Sequence, residues 1–396
     1  MNRLALRHQI ACSLAFFTNG AVFGSLLPRY PEIKNLLGLT NTQYGLTVIA
    51  VSLGGLLALN LPSRLLARWA PPHIGIVATV VMGGALVITG TASLWPMVFV
   101  ALLLAGIADA VSDTAQNAQA IAVQEASGRS LINRMHAFWS LGSACGGVTA
   151  VLASRAHIDL GIQLLGTGFA CTAAMVVSAW LSSARLPDHH RLAAPAQKPT
   201  ATARGKTSVK LIMTGLVMIT MTSTLTEDFA NNWATLYFHK IALLDPGTAG
   251  LAYTTVMVSQ FAGRIASDPV TDRIGAARTC VVGCVMVALG LLTVVVSPLL
   301  VVRWAGLIVI GVGCAPLTPT AYAASGSIAT MSSAGGITLM SWFLRAGGLA
   351  GSPLLGLASD GFGLRWAILL PTVLAVAGTG FAVWMWRTGN LRTTRG

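Results

Sequence analysis

Ser183-Ala-Arg185-Leu-Pro187-Asp-His-His-Arg191-Leu-Ala-Ala-Pro195-Ala-Gln-Lys198-Pro199-Thr-Ala-Thr-Ala-Arg204-Gly-Lys206-Thr-Ser-Val-Lys210 is the longest polar stretch of the chain. Its three prolines, six Lys/Arg and lack of apolar periodicity mark a flexible linker. It leaves 182 residues before it and 186 after it. On both sides the sequence turns into long apolar runs. Over all 396 residues, 54% are hydrophobic and 9% are charged, against roughly 25% charged in a soluble protein. A chain with so little polar surface cannot be a soluble enzyme.

A membrane-crossing helix needs about 20 mostly apolar residues. Runs of that kind fall at 9–27, 43–61, 74–93, 97–122, 135–153, 161–182, 211–236, 248–266, 279–296, 299–321, 333–356 and 365–386. Residues 1–27, with Arg3 and Arg7 before an apolar stretch, have the look of a signal peptide but no small-x-small cleavage site. They read as an uncleaved first span. The net charge of +13 sits mostly between the runs, which suits an anionic membrane surface and not nucleic acid. With the N-terminus inside, the inner segments hold 18 Lys/Arg and the outer ones 6, with Arg345 inside a span. That bias predicts cytoplasmic termini and linker. The six cysteines lie inside apolar runs and form neither a disulfide framework nor a zinc site. No metal or cofactor is expected. Two equal groups of six spans, 1–182 and 211–396, suggest a parallel repeat with a solute site between the halves near mid-bilayer, the plan of secondary transporters.

Between spans eight and nine the chain reads Gly263-Arg264-Ile-Ala-Ser-Asp268-Pro-Val-Thr-Asp272-Arg273-Ile-Gly275-Ala-Ala-Arg278. This resembles the cytoplasmic loop signature of the major facilitator superfamily, Asp-Arg-x-Gly with a trailing basic residue. The resemblance implies an all-α membrane protein of twelve transmembrane helices in two six-helix pseudo-symmetric halves. It also implies a monomer of the inner membrane, and a conformational role for Asp268, Asp272, Arg273 and Gly275. In the first-half loop, Ala67 stands in place of the Asp and Ala70 in place of the Gly. A narrower resemblance rests on Asn19-Gly20, Arg29-Tyr30-Pro31, Gly38-Leu-Thr40, Tyr44-Gly45, Asp113-x-x-x-Asn117, Met135-His136-Ala-Phe-Trp139-Ser140-Leu-Gly142, Glu227 and Asn232-Trp233. These are similar to an uncharacterised bacterial branch related to fucose permease-type sugar/proton symporters. Members of that branch often carry Asp where this chain has Asn232. The resemblance places Asn19, Asn232 and Trp233 among the pathway residues.

Ionisable side chains inside a bilayer are costly and so are functional candidates. Span four carries Asp109, Asp113, Gln116 and Asn117 within an arc of about 100°. Asp113 and Asn117 are the site candidates there, with interhelical hydrogen bonding as the structural alternative. In span five, His136 is either a group titrating near neutral pH or a hydrogen-bonded structural histidine. Gly142 and Gly146 allow close helix contact there. In span seven, Thr220, Thr224, Glu227 and Asn231 share an arc of about 60°. Glu227, about 24 Å from Leu211, suits a proton carrier; Asp228 fits an exposed helix end. Arg345, about 18 Å into span eleven, must find an anion or water, either in a structural ion pair or in the solute. Pro316 and Pro319 mark a kink in span ten. These readings favour proton-coupled transport of a small organic solute. Proton antiport of drugs or toxic metabolites is the alternative, opposed by the missing proline of the antiporter signature in span five. No metalloprotease helix and no phosphate-binding loop is present, so neither intramembrane proteolysis nor ATP drive is encoded.

Overall fold

The computed structural model describes residues 3–58, 61–127, 131–183, 209–326 and 333–388. The linker expected at 183–210 falls almost entirely outside them. The long helices are α1 (Arg3–Gly24), α2 (Asn41–Leu57), α3 (Pro71–Thr91), α4 (Trp95–Ser127), α5 (Ile132–Arg155), α6 (Leu160–Leu181), α7 (Val209–Asp228), α8 (Pro246–Ile274), α9 (Ala276–Val296), α10 (Leu300–Cys314), α11 (Ser333–Phe362) and α12 (Leu369–Thr388). Each of the twelve apolar runs has become one of them, and among the described residues no strand occurs. Nine segments are long and apolar enough to cross a membrane, again among the described residues. The helices that fall short are α2, α8 and α11. α2 has only 17 residues, and α8 carries Arg264, Asp268, Asp272 and Arg273.

Helix starts follow local chemistry. The Thr40 side chain accepts from the Gln43 backbone while the Gln43 side chain accepts from the Thr40 backbone, a reciprocal cap that begins α2. Asp159 accepts from the amides of Gly161 and Ile162 at the start of α6. α7 does not end at Asp228. It continues through one π turn, Phe229–Trp233, into Ala234–Lys240. α10 breaks at Ala315–Pro316 and resumes over Leu317–Gly326, where the prolines predict a kink.

The helix pairs that pack in the first half recur in the second. α1 packs on α5 and α6, and α3 on α4 and α6. Correspondingly, α7 packs on α11 and α12, and α9 on α10 and α12. Glycines set the closest approaches. A Cβ at Gly20 would strike the Trp139 carbonyl on α5, and one at Gly142 would strike the Phe17 carbonyl on α1. Gly54 of α2 meets the α4 backbone at Leu103, as Gly263 of α8 meets α10 at Val312. The outward faces carry large exposed apolar side chains, among them Val100, Phe169, Trp180, Val301 and Val373. Such faces suit lipid.

Two compact units result. One comprises Met1–Leu192 together with Asn231–Met257; the other comprises Ala193–Ala230 and Val258–Gly396. The chain thus changes unit inside the π turn of α7 and again within α8. In the first unit a buried cluster joins the segment after α1, the C-terminal end of α5 and the start of α6. Arg29, 4% exposed, donates twice to Glu32 at 2.9 and 2.6 Å. It also donates to Gln163 and to the Ile158 carbonyl, and Ser154 donates to Glu32.

Candidate functional site

In the first unit the polar centre is built on α1, α4 and α5. The Asn19 amide nitrogen donates to Asp109 at 2.9 Å, and its oxygen accepts from the Trp139 indole at 2.7 Å. Asn19 is buried, and this geometry fixes its amide orientation. Asp109 belongs to the polar stripe of span four. Its pairing with a buried Asn on α1 is a contact that spacing along one helix cannot reveal. Asp113, one turn on, is exposed and accepts from Asn117 on its own helix at 2.9 Å. Gln116 is buried, bonds Ser112, and leaves its carbonyl oxygen without a partner. The His136 ring lies edge-on to Phe16 at 5.3 Å, and the His136 carbonyl accepts from Ser140.

The same unit holds the far end of α7. Asn232 offers its carbonyl to the Tyr44 hydroxyl. Trp233 is fully buried, edge-on to Tyr44 at 5.1 Å, and Tyr44 in turn is edge-on to Tyr30. Ser143 of α5 and Tyr253 of α8 share a hydrogen bond. Asn231 keeps a buried oxygen with no partner. The structure therefore brings Asn232 and Trp233 into an aromatic packing layer, apart from the Asn19–Asp109 centre.

In the second unit the centre is Glu227. Its carboxylate accepts from the Gln260 amide at 2.6 Å and lies 3.6 Å from the Arg264 guanidinium, both on α8. The Cys314 thiol, at the break of α10, points to the same oxygen from 4.0 Å and also bonds Ser223. The extended α7 rod, Val209–Lys240, has 32 residues, which puts Glu227 about 4 Å to the C-terminal side of its midpoint. Asp228 is not an exposed helix end. It is half-buried, and Ser352 of α11 reaches both its oxygens at 2.7 Å. The expected arc of Thr220, Thr224, Glu227 and Asn231 breaks at the π turn, because one extra residue per turn resets the helical phase. Asn231 belongs to the other unit. Arg345 lies on α11, which packs against α7; its side chain, like that of Asp268, lies outside the described residues.

The loop signature takes a defined form. Gly275 caps α9 with φ 86°, a conformation that favours glycine. Asp272 and Arg273 beside it are exposed. In the first half Ala70 caps α3 with φ −68°. The two loops differ in backbone, so Ala70 meets no steric objection where the signature has glycine.

Residues 207–394 match the family model described as Major Facilitator Superfamily. An uncharacterised MFS-type transporter of Yersinia pestis is 25% identical over 386 residues, 94% of this chain and 95% of that protein. The membrane protein MosC of Rhizobium meliloti is 25% identical over 372 residues, 92% of this chain and 87% of its own. A mutant of the nucleoside transporter NupG superposes with TM-score 0.74 at 11% identity, over 96% of this chain and 100% of that one. FucP, a superfamily transporter in its outward conformation, superposes with TM-score 0.63 at 16% identity, over 99% and 100%. At these identities the structural likenesses establish the fold and nothing finer. Twelve long helices, helix pairings that repeat from one half to the other, the Asp-Arg-x-Gly turn and these relatives agree: residues 207–394 match the Major Facilitator Superfamily, and the chain as a whole is similar to membrane transporters and has their fold.

Proposed function

We propose that the protein is a proton-coupled secondary transporter of a small organic solute. It works as a monomer by alternating access in the cytoplasmic membrane, with both termini inside and both halves contributing to the solute pathway. The observation that carries this reading is Glu227. A carboxylate near the middle of a membrane-crossing helix is costly, yet this one is held by a neutral amide, Gln260, at 2.6 Å and by a looser cation at 3.6 Å. It can therefore exist charged or protonated without losing all its partners, the property a proton carrier needs. The resemblance to fucose permease-type symporters supports uptake over export.

The experiment is Glu227→Gln in proteoliposomes, after an uptake screen has found a solute that drives a pH change. The variant keeps shape and the Gln260 contact but removes ionisation. Gradient-driven accumulation collapses, while counterflow exchange, which needs no net proton movement, survives. Full accumulation by the variant would overturn the reading.

A further inference from the structure

The sixth and twelfth helices finish in the same way. Trp180 is the penultimate residue of α6, and Trp386 stands two residues before the end of α12. Both rings are exposed, by 65% and 45%. Over each lies a guanidinium from a helix packed beside it in the same half. Arg7 of α1 is 5.6 Å from the Trp180 centroid, and Arg278 of α9 is 5.0 Å from that of Trp386, within the reach of a cation–π contact. Among the described residues neither guanidinium has a hydrogen bond or an ion pair, and neither indole N–H has an acceptor. A third stack differs. Arg365, 5.5 Å from the Trp366 centroid, donates from Nε to the Val295 carbonyl at 3.0 Å. A guanidinium over a ring still presents five N–H donors in its own plane, and those of Arg7 and Arg278 are left for something outside the chain. The surface beside them faces lipid. On α6, Ile162, Leu165, Phe169, Val176 and Trp180 fall within an arc of about 60°, and all are exposed. An apolar stripe thus runs along the helix to the ring. α6 has 22 residues, about 33 Å, so it ends at the polar boundary of a hydrocarbon core about 30 Å thick. On α12, Val373 and Val376 are exposed in the same way. Arg387, next to Trp386, and Lys210, at the start of α7 beside α12, add positive charge there. The acidic residue nearest in sequence is Asp272 for Arg278 and Glu32 for Arg7.

We propose that the Arg7–Trp180 and Arg278–Trp386 stacks are two headgroup sites for anionic phospholipid, one in each half. The headgroup phosphate accepts from the guanidinium, which matches its oxygens in a planar fork, and from the indole N–H. One acyl chain follows the exposed apolar side chains of α6 or α12. Those side chains decide between lipid and free phosphate, because a soluble anion gains nothing from them. Charge decides between headgroups. A zwitterionic lipid brings its own cation to a place that already holds one, whereas a net-negative lipid supplies the missing counter-charge. In the first half the bound lipid bridges α1 and α6, and in the second α9 and α12. Neither site involves the solute pathway, so the proposal stands or falls apart from proton coupling.

The test counts lipids on the full-length protein by native mass spectrometry from detergent, during titration with phosphatidylglycerol or phosphatidylcholine. The wild type is expected to retain two phosphatidylglycerol molecules at concentrations where phosphatidylcholine is lost. Arg7→Gln and Arg278→Gln each lose one, and the double variant loses both. Trp180→Leu and Trp386→Leu keep every charge and weaken one site each by about two- to fivefold, the worth of an exposed cation–π contact. Arg64→Gln/Arg68→Gln removes two exposed arginines that lie over no ring, and it retains both lipids. That control separates a built site from the general pull of a basic surface on anionic lipid. Equal retention of phosphatidylcholine by the wild type overturns the proposal. So does a control pair that costs as much as the Arg7/Arg278 pair, or tryptophan variants that bind like the wild type. An arginine variant that keeps both lipids overturns its own site. Displacement of both lipids by millimolar sn-glycerol 3-phosphate assigns the stacks to a soluble phosphate and overturns the lipid. Should an arginine variant fail to fold, the Trp→Leu variant of the same stack decides.

Discussion

Replacing Arg29 with Met removes the guanidinium that ties the segment after α1 to the C-terminal end of α5 and the start of α6, and leaves a side chain of similar length. Glu32 then loses bonds at 2.9 and 2.6 Å and keeps only the Ser154 hydroxyl at 3.0 Å. Gln163 and the Ile158 carbonyl lose a donor as well. Breaking a buried ion pair from one side costs about 3–5 kcal/mol. Glu32 remains 24% exposed, so water relieves part of the loss and the lower end, about 3 kcal/mol, applies. That is roughly a hundredfold in the unfolding equilibrium. In Arg29→Met/Glu32→Gln neither charge is left alone, and about 1–2 kcal/mol of the loss returns. Reversible unfolding in mixed micelles, followed by tryptophan fluorescence, gives the four values of the cycle. The reasoning fails if Arg29→Met lies within about 0.5 kcal/mol of wild type, or if the double variant equals the sum of the singles.

Gly275→Ala forces an L side chain onto φ 86° and should cost about 1–3 kcal/mol, whereas Ala70→Gly, at φ −68°, should cost less than about 1 kcal/mol; the thermal midpoints of the two variants check this. Hydrogen bonds from the Thr248 side chain and backbone hold the Asp245 carboxyl, outside the spans, below the usual carboxylate range. Its folded value is depressed, so its contribution is present above the unfolded pKa of about 3.9 and fades as pH falls through the folded value. Asp245→Asn should therefore narrow the loss of stability on acidification, by only about 0.5 kcal/mol for so exposed a cap; unfolding curves between pH 6 and pH 3 measure it. Thr200→Cys, in the linker, should resist an impermeant thiol reagent in intact cells and react once the membrane is opened; labelling in intact cells would reverse the assigned orientation.

The helices were legible because twenty-residue apolar runs leave little choice in a bilayer. Capping residues such as Thr40 and Asp159 refined their starts. Several residues behind the narrower resemblance make packing and capping contacts. Arg29 anchors a buried cluster, Tyr30 and Tyr44 stack around Trp233, and Gly38, at φ 61°, leads into the Thr40 cap. The site was only half legible. Glu227 stood out because a lone carboxylate in an apolar run is conspicuous. Its partner Arg264 falls at the very end of the run at 248–266, where a basic residue reads as a charge at the membrane boundary, but α8 stays helical to Ile274 and Arg264 lies well inside it. Asn19 could be named, but its hold on Asp109 joins residues 90 apart, and one-dimensional periodicity carries no such information. The π turn escaped for a related reason: helical wheels assume a constant step, and Asn231 was placed by that assumption.

The membership of Asn231–Met257 in the first compact unit has a consequence for how the protein is made. When the ribosome has delivered residue 192, the unit still lacks the segment ending at residue 257. At roughly 5–20 residues per second, those remaining residues take several seconds to appear. During that interval the Tyr44 hydroxyl has no Asn232 carbonyl, Ser143 has no Tyr253, and the small-residue surface at Gly147 lacks the Tyr253 and Thr254 side chains that will cover it. A membrane offers poor substitutes for hydrogen-bonding partners. The first six helices must therefore wait, inserted but incompletely packed, for sequence encoded beyond the linker. Order of synthesis and order of assembly differ in this chain, and a fragment stopped at the linker would lack part of its own core.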